Sequence, residues 1–220
     1  MVERGEIKEI AKRSYHHGDL SEALIEQAMA SVDAVGADHV SLRAVAAAVG
    51  VCPSAAYHHF ADKDALMKAV SARGFVDLDS FILQRVSEDV GQQDPLEIMR
   101  HSANAYICYA VDHPYLFQVM FSELKAPVRP KYIEGSILSV LSHLQSEYGF
   151  AEADLHLLES VLLAAVHGIA ALVIEGRMDR EQVPAAVDML TTIILKTPAK
   201  ERGKNDPTYF GNQRWISPPQ

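Results

Sequence analysis

The spacing of hydrophobic residues along the chain predicts helices from one end to the other. Apolar residues recur three and four positions apart, and no segment shows the sustained apolar–polar alternation of a strand. The first clear segment is 20–35, where Leu24 and Ala28 share one face. We place Asp19 as its N-cap, and Gly36 suits the left-handed position that ends a helix. The pattern predicts an all-α protein of about nine helices.

Two short helices follow, separated by a tight turn. Ser41 offers an N-cap for the first of them, and Gly50 ends it after about two turns. Pro53 suits the first position of the second short helix, which runs to Phe60. A longer helix then begins after the cap residue Asp62. Three short helices before a long one, with a tight turn between the second and third, are typical of a DNA-binding helix-turn-helix, although an ordinary three-helix subdomain has the same outline.

Proline and glycine divide the rest of the chain into further helices. The predicted spans are 95–111, 115–121, 130–148, 152–175 and 184–195. From Val161 to Ile174 the chain is apolar nearly all round, which predicts that more than one surface covers this helix. The run is shorter than the roughly 20 residues of a bilayer span, so we expect no membrane contact. Residues 198–220, rich in Pro, Gly and polar residues, are expected to form a mobile tail.

Composition limits the classes of protein that the chain can belong to. Its 220 residues are 49% hydrophobic and 22% charged, which fits one or two soluble globular domains. Cys52 and Cys108 lie far apart and belong to no CxxC motif, so a reducing cytoplasm is the expected location. The first 15 residues interleave basic and acidic side chains without the apolar stretch of a signal peptide.

Three stretches at fixed spacing lie within residues 18–78. They read VSLRAVA at 40–46, GV at 50–51 and AYHHFADKDAL at 56–66. Together they resemble the DNA-binding domain of the tetracycline-repressor (TetR) family. The resemblance implies a helix-turn-helix domain over 18–78, a sensing and dimerising domain over 79–197, and a basic arm over 1–17 that enters the minor groove.

The resemblance also implies roles for individual residues. Ser41 and Arg43 would begin the helix that abuts the DNA backbone, Tyr57 and His59 would reach phosphates or bases, and Lys63 would hold a phosphate. The reading helix itself contains no Arg, Asn or Gln, the side chains that pair bidentately with guanine and adenine edges. The residues expected to face DNA on this helix are Pro53, Ser54, Ala55, Tyr57, His58 and His59. We therefore expect DNA shape and backbone contacts to carry an unusual share of specificity.

Two residues of the reading helix depart from the family pattern. Cys52 stands where a small hydroxyl residue usually caps the helix, and Ala56 stands where a larger aliphatic side chain is usual. Both changes are expected to lower the stability of this helix without preventing it from forming.

The net charge bears on how the protein meets DNA. The whole chain carries 20 − 29 = −9, which argues against indiscriminate binding to nucleic acid. Residues 1–75 carry 8 − 10 = −2 and residues 76–220 carry 12 − 19 = −7, so the acid is concentrated outside the predicted reading domain. Five histidines in the first part gain charge as the pH falls. We expect a modest salt dependence of operator binding and stronger binding towards pH 6.

The C-terminal part carries a second resemblance. The stretches HPYLFQVMF at 113–121 and VHGIA at 166–170 resemble the C-terminal domain of a TetR subgroup known for a Trp-His-Gly signature, without its tryptophan. A sensor of this kind implies a mainly apolar or aromatic ligand. The candidate ligand contacts are Met99, Tyr106, Phe117, Met120, Phe121 and His167. The residues expected to pair two chains in a four-helix dimer interface are Leu162, Ile169, Leu172, Val173, Leu190 and Ile193.

The motifs of common enzymes are missing from the chain. It has no HExxH, GxSxG, P-loop or GxGxxG, and its adjacent histidines point about 100° apart on a helix, which makes them poor chelators. We expect neither catalysis nor a cofactor nor a metal site. The leading hypothesis is a cytoplasmic homodimeric repressor that a small ligand releases from double-stranded operator DNA. The alternative is a helix-turn-helix regulator whose C-terminal domain binds a protein partner or a metal instead.

Overall fold

The computed structural model describes residues 17–89, 95–122, 145–146 and 152–196. Within them lie eight α-helices and two short 3-10 helices, Ala37–His39 and Arg180–Gln182, and no strand. The α-helices are α1 His17–Val35, α2 Leu42–Val49, α3 Pro53–His59, α4 Lys63–Asp89, α5 Pro95–Asp112, α6 Pro114–Ser122, α7 Glu152–Ile174 and α8 Val183–Lys196. The all-α prediction is confirmed.

Several sequence predictions lie outside the described residues. The helix predicted over 130–148 is represented only by residues 145–146, which are helical, so it accounts for the difference between eight helices and about nine. The basic arm up to residue 16 and the tail over 198–220 are also outside the described part. The predicted domain boundary at 78/79 falls inside the continuous helix α4.

Local capping chemistry explains where the first helices begin and end. The Ser41 hydroxyl accepts a hydrogen bond from the amide of Ala44 at 3.2 Å, and the Asp62 carboxylate accepts one from the amide of Ala65 at 2.7 Å. Gly50 adopts φ +84°, the left-handed conformation that closes α2. These three caps were predicted from the sequence and are confirmed.

The N-cap predicted at Asp19 is wrong. Helix α1 begins at His17, two residues before the predicted cap, so Asp19 lies in its first turn. An acidic side chain is favourable there too, because the N-terminal end of a helix carries partial positive charge. Asp19 is therefore compatible with the N-cap position and with the first turn, and its residue type alone does not decide where the helix starts.

Helix α4 belongs to the cores of both halves of the molecule. Near its start, Leu66 and Val70 are fully buried in the cluster that holds the N-terminal helices together. Further along, Phe75 and Leu78 are buried in the part of α4 that packs against α5 and α6. Helix α5 in turn contacts α7 and α8. A displacement of α4 by the C-terminal helices is thus also a displacement of the N-terminal ones.

Candidate nucleic-acid interface and effector site

The turn between α2 and α3 is closed by two backbone hydrogen bonds. The amide of Gly50 donates to the carbonyl of Ala47 at 3.1 Å, and the amide of Val51 donates to the carbonyl of Ala46 at 2.9 Å. Ala46 on α2 and Ala56 on α3 are both completely buried. Because both side chains are a single methyl group, the two helices can approach closely, so Ala56 fits the packing at this point although the family pattern has a larger residue there.

The exposed side chains of α3 share one face. Positions 54, 57 and 58 are three and four residues apart, and all three side chains are exposed, while Ala56 and Phe60 are buried. Tyr57 keeps 47% of its surface exposed. Of the other residues expected at DNA, Ser41, Arg43 and Pro53 are exposed, and Ala55, His59 and Lys63 are partly exposed. The described structure therefore leaves all nine residues some access to solvent.

Two polar contacts border this face. Cys52, the residue before α3, makes no side-chain hydrogen bond to the helix backbone, and its Sγ lies 3.2 Å from Oγ of Ser54. This hydrogen bond lowers the pKa of the exposed Cys52 thiol below its usual value of 9.0. The ammonium of Lys63 donates to the carbonyl of Asp38 at 3.5 Å. This contact uses one of the three N–H donors of the Lys63 ammonium.

Four of the six predicted ligand residues meet around one imidazole. The ring of His167, on α7, stacks on Phe117 at a centroid distance of 5.1 Å and meets the edge of Phe121 at 4.6 Å. A hydrogen bond of 3.1 Å joins the Tyr106 hydroxyl to Nδ1 of His167. Tyr106 also packs edge-on against Phe117 at 5.6 Å. We call Tyr106, Phe117, Phe121 and His167 the aromatic cage.

Burial sets the protonation of the two polar groups in the cage. Tyr106 is almost completely buried, and burial raises the pKa of its hydroxyl above the usual range. Burial lowers the pKa of His167 below 6.5. Both groups are therefore neutral at pH 7. A neutral imidazole has one donor and one acceptor nitrogen, so a hydroxyl that donates to Nδ1 leaves Nε2 as a donor.

The other two predicted ligand residues lie outside the aromatic cage. Met120 is completely buried against α4, where a Cβ added to Gly74 would lie 2.8 Å from its Cγ. Its carbonyl accepts a hydrogen bond of 3.1 Å from the hydroxyl of Ser71. Met99 is buried on α5, two turns before Tyr106. Met120 therefore packs at the α4–α6 contact, and its predicted contact with a ligand stays a prediction.

A separate cavity of about 270 Å³ lies between α5 and the start of α8. Its lining residues are Asn104, Ile107, Cys108, Val111, Arg180, Val183 and Pro184, and none of them was predicted from the sequence. The four from α5 recur three and four residues apart, which marks one helix face but carries no ligand signal. The guanidinium of Arg180 is bound to Asp112 at 2.8 Å. Among the described residues, no group of three His, Cys, Asp or Glu side chains is placed to hold a metal ion.

Helices α7 and α8 expose an apolar surface. Its large side chains are Leu157, Val161, Leu172, Ile174, Met189 and Ile193, with exposed fractions between 38% and 66%. The longer segment Leu157–Ile174, of 18 residues, matches a membrane span by length and composition, a test that the core helix of a soluble protein also passes, and 22% of it is buried. Two of the predicted dimer residues, Leu172 and Ile193, belong to this surface. The other four are partly buried, and of these Ile169, Val173 and Leu190 pack against the core of their own chain.

Two family models of known proteins match the two parts of the chain that hold these sites. The family model described as bacterial regulatory proteins of the tetR family matches residues 24–70, which hold α2, the turn and α3. The model described as the tetracyclin repressor-like C-terminal domain matches residues 99–197, which hold the aromatic cage and the exposed apolar surface. The chain belongs to the TetR family of transcriptional regulators.

Individual proteins also resemble the chain over most of its length. The HTH-type transcriptional regulator YobS of Bacillus subtilis is 24% identical over 166 residues, which cover 74% of this chain and 84% of YobS. A solved structure of a protein of unknown function from Rhodococcus sp. RHA1 is 27% identical, with a TM-score of 0.69, and the match covers 86% of this chain and all of that one. The structure of RolR in complex with resorcinol is 18% identical, with a TM-score of 0.59, and covers 83% of this chain and 95% of RolR.

Proposed function

We propose that this TetR-family regulator is a cytoplasmic repressor and that a small, largely apolar ligand bound at the aromatic cage releases it from operator DNA. The observation that carries the proposal is that one helix, α6, takes part in both the aromatic cage and the packing of α4. Phe117 and Phe121 of α6 contact His167. Leu116 and Met120 of the same helix pack against Gly74 of α4.

The mechanism follows from this shared helix. A ligand that enters between Tyr106 and His167 must displace the rings of Phe117 and Phe121, because all four side chains are in contact. The packed interface at Gly74 has no spare volume, so a shift of α6 is transferred to α4. Helix α4 continues into the core of the helix-turn-helix. The ligand then lowers operator affinity by as much as it prefers the shifted arrangement.

The chemistry of the aromatic cage favours a small aromatic ligand with a hydroxyl or carbonyl group. Three aromatic rings offer stacking partners, and the neutral pair of Tyr106 and His167 offers one donor or acceptor at each end of its hydrogen bond. No side chain of the cage carries a charge at pH 7, so a charged ligand would be desolvated without compensation. RolR, a protein of the same fold, is known in complex with the small phenol resorcinol, which has this chemistry.

The exposed face of α3 and the N-terminal ends of α2 and α4 would contact DNA. Ser54, Tyr57 and His58 would reach the groove, and Arg43 and Lys63 would contact phosphates on either side. With no bidentate reader of guanine or adenine on α3, most of the contacts in this proposal position the protein. We therefore expect the bound sequences to share shape, such as a narrow minor groove, more than individual base identities.

The test begins with selection of the operator from a random library of double-stranded DNA by the full chain. Fluorescence anisotropy with the selected duplex then measures affinity with and without small phenols, starting with resorcinol. We expect at least one phenol to weaken DNA binding of the wild type, and His167→Ala or Tyr106→Phe to reduce this response. Asn104→Ala, which lines the separate cavity, is the matched control and should respond like the wild type.

The results separate the competing functions. A response lost in Asn104→Ala and kept in His167→Ala would move the effector site to the cavity near α8. A chain that binds operator but responds to no phenol, and instead to a metal salt or a protein, would favour the alternative sensor. Failure to enrich any duplex would contradict DNA recognition itself.

We also propose that α7 and α8 form the homodimer interface, centred one position away from most of the residues predicted from the sequence. Leu157, Val161 and Leu172 are spaced by multiples of about one turn and face solvent, as do Met189 and Ile193 on α8. Gly168 lies on the same stripe, with no atom within 4 Å of where its Cβ would be, which allows a second helix to approach. Pairing with a second chain would cover this exposed apolar surface.

Light scattering after gel filtration tests the interface. The wild type should elute as a dimer, and Leu172→Glu or Ile193→Glu should shift it to a monomer, because each places a charge in an apolar contact. Leu83→Glu is the control, since Leu83 is an exposed leucine on α4 outside this surface. A wild-type monomer, or dimers unaffected by both substitutions, would refute the proposed interface.

A further inference from the structure

A hydrogen-bonded histidine and carboxylate connect the N-terminal helices to the C-terminal helices that hold the aromatic cage. His113 lies between α5 and α6, where its amide donates to the carbonyl of Tyr109 at 2.9 Å and its carbonyl accepts from the amide of Phe117 at 2.8 Å. Nδ1 of its ring lies 2.7 Å from Oδ2 of Asp33, in the last turn of α1. We propose that the Asp33–His113 contact positions the DNA-reading helices relative to the aromatic cage. The inference rests on the proposed function and adds the contact through which the effect of ligand binding would reach α1.

The surroundings of the contact make it specific. The side chains of Asp33 and His113 are 32% and 39% exposed, so the hydrogen bond is partly shielded from water. The second carboxylate oxygen of Asp33, Oδ1, is buried without a hydrogen-bond partner in the described part of the chain. The imidazole packs on the Tyr109 ring at 4.8 Å, and the Tyr109 hydroxyl reaches the Gly74 carbonyl at 3.4 Å. Asp33 therefore depends on His113, which is itself held by α5 and α4.

A second, apolar contact lies one turn away and fixes the same two elements. Gly36, just after α1, has φ +81°, and a Cβ there would lie 3.5 Å from the ring of Tyr115 on α6. The N-terminal end of α6 thus touches α1 through a polar and an aromatic contact. Two residues after Tyr115, α6 carries the cage residue Phe117, whose amide donates to the carbonyl of His113. A movement of Phe117 is therefore transferred to His113 through one turn of helix.

Helix α1 is anchored at both ends by the rest of the chain. Near its start, Glu22 forms an ion pair with Arg73 of α4. Near its end, Asp33 bonds to His113. Because α1 also packs against α2 and α4, its orientation sets that of the reading helices. The ligand can thus act on the reading helices through α1 as well as through α4, and the α1 route depends on a polar contact that a single substitution removes.

A neighbouring ion pair provides a matched control. Asp112, next to His113, binds Arg180 at 2.8 Å, and both residues belong to the C-terminal half. Asp112→Ala therefore removes an ion pair of similar length from the same loop without touching α1. Asp33→Asn is the conservative variant, because its amide oxygen can still accept the hydrogen bond from His113. His113→Ala, Asp33→Ala and the double variant complete a cycle.

The position of the reading helices is measured with spin labels on Cys52, which is exposed just before α3, in a Cys108→Ala background. In the proposed dimer, pulsed electron resonance gives the distance between the two labels without DNA. We expect His113→Ala and Asp33→Ala to widen or shift the distance distribution by more than Asp112→Ala does. Asp33→Asn should stay close to the wild type.

Operator affinity is the second readout, with the selected duplex as the probe. We expect about three- to tenfold weaker binding for His113→Ala, Asp33→Ala and the double variant alike, because all three lack the same partly exposed hydrogen bond. Asp112→Ala should stay within about twofold of the wild type, and Asp33→Asn should recover most of the affinity.

Three results would overturn the inference. They are unchanged label distances and affinities in both alanine variants, effects in Asp112→Ala of the same size, or tighter DNA binding without the contact. A wild type that enriches no duplex would refute the proposed function instead, and the label distances would still decide whether the contact positions α1.

Discussion

Replacement of Gly74 by alanine tests whether α4 and α6 are as tightly packed as the proposed transmission requires. The added Cβ would lie 2.8 Å from Cγ and 2.9 Å from Sδ of Met120, and 3.6 Å from Cδ1 of Leu116. Ordinary contacts between carbon atoms are about 3.5 to 4.0 Å, so the methionine has to retreat. It is completely buried and cannot swing into water. The strain must therefore be taken up by a shift of α6 or α4.

The magnitude follows from two opposing terms. Overpacking a well-filled core costs about 1–3 kcal/mol. Alanine in place of glycine inside a helix gains about 0.8–1 kcal/mol. The difference lies between about 0 and 2 kcal/mol. Because methionine is flexible and can absorb part of the strain, we expect Gly74→Ala to lower the free energy of unfolding by about 1 kcal/mol and not by the upper value. For a chain of this length that corresponds to a fall in Tm of about 2–4 °C.

Chemical denaturation at one fixed protein concentration measures the effect, because the stability of a dimer depends on concentration. The control is Met120→Ala alone and combined with Gly74→Ala. Removing the methionine side chain removes the clash, so Gly74→Ala should no longer destabilise in that background. A Gly74→Ala variant that is about 1 kcal/mol more stable than the wild type, with no coupling to Met120, would refute the tight contact and with it the transmission from α6 to α4.

Three further predictions concern stability and reactivity. Burial lowers the pKa of His167 below 6.5, so the unfolded chain takes up a proton there before the folded one does; the free energy of unfolding should fall as the pH drops from 7 to 5, and less so in His167→Phe. Equal slopes would contradict the shift. Ser41→Ala should cost about 1 kcal/mol through loss of the α2 cap, whereas Ser80→Ala, whose hydroxyl bonds within its own helix, should cost less. Cys52→Ser should stabilise α3 by about 0.5–1 kcal/mol by supplying a hydroxyl cap, and no gain would show that the site cannot use one.

Features that depend on neighbours in the chain were predictable. The caps at Ser41 and Asp62 and the left-handed Gly50 follow from hydrogen bonds within a few residues, and the structure confirms them. The helical class follows from the same local periodicity. Asp19 was misplaced because a carboxylate is favourable both at the cap and in the first turn. Local chemistry left that register undecided.

The aromatic cage was partly predictable. Aromatic residues at helical spacing and a histidine in an apolar run indicated Tyr106, Phe117, Phe121 and His167, which the fold brings together from three helices. Met120 carried the same signal, but the adjacent turn of α6 directs it to Gly74. An apolar side chain at helical spacing fits a ligand site, a core and a dimer surface equally well, so spacing alone could not assign it.

The sequence by itself determined the helices, the reading motif and the family, because each rests on contacts within one turn or on a signature of fixed spacing. Only the tertiary structure decided which apolar faces of α7 and α8 stay exposed, and that Asp33 meets His113 across 80 residues of chain. Such contacts depend on how whole helices cross, and a change of one position around a helix turns a side chain by about 100°. That rotation separates the exposed Leu172 from its neighbour Val173, which packs on the core.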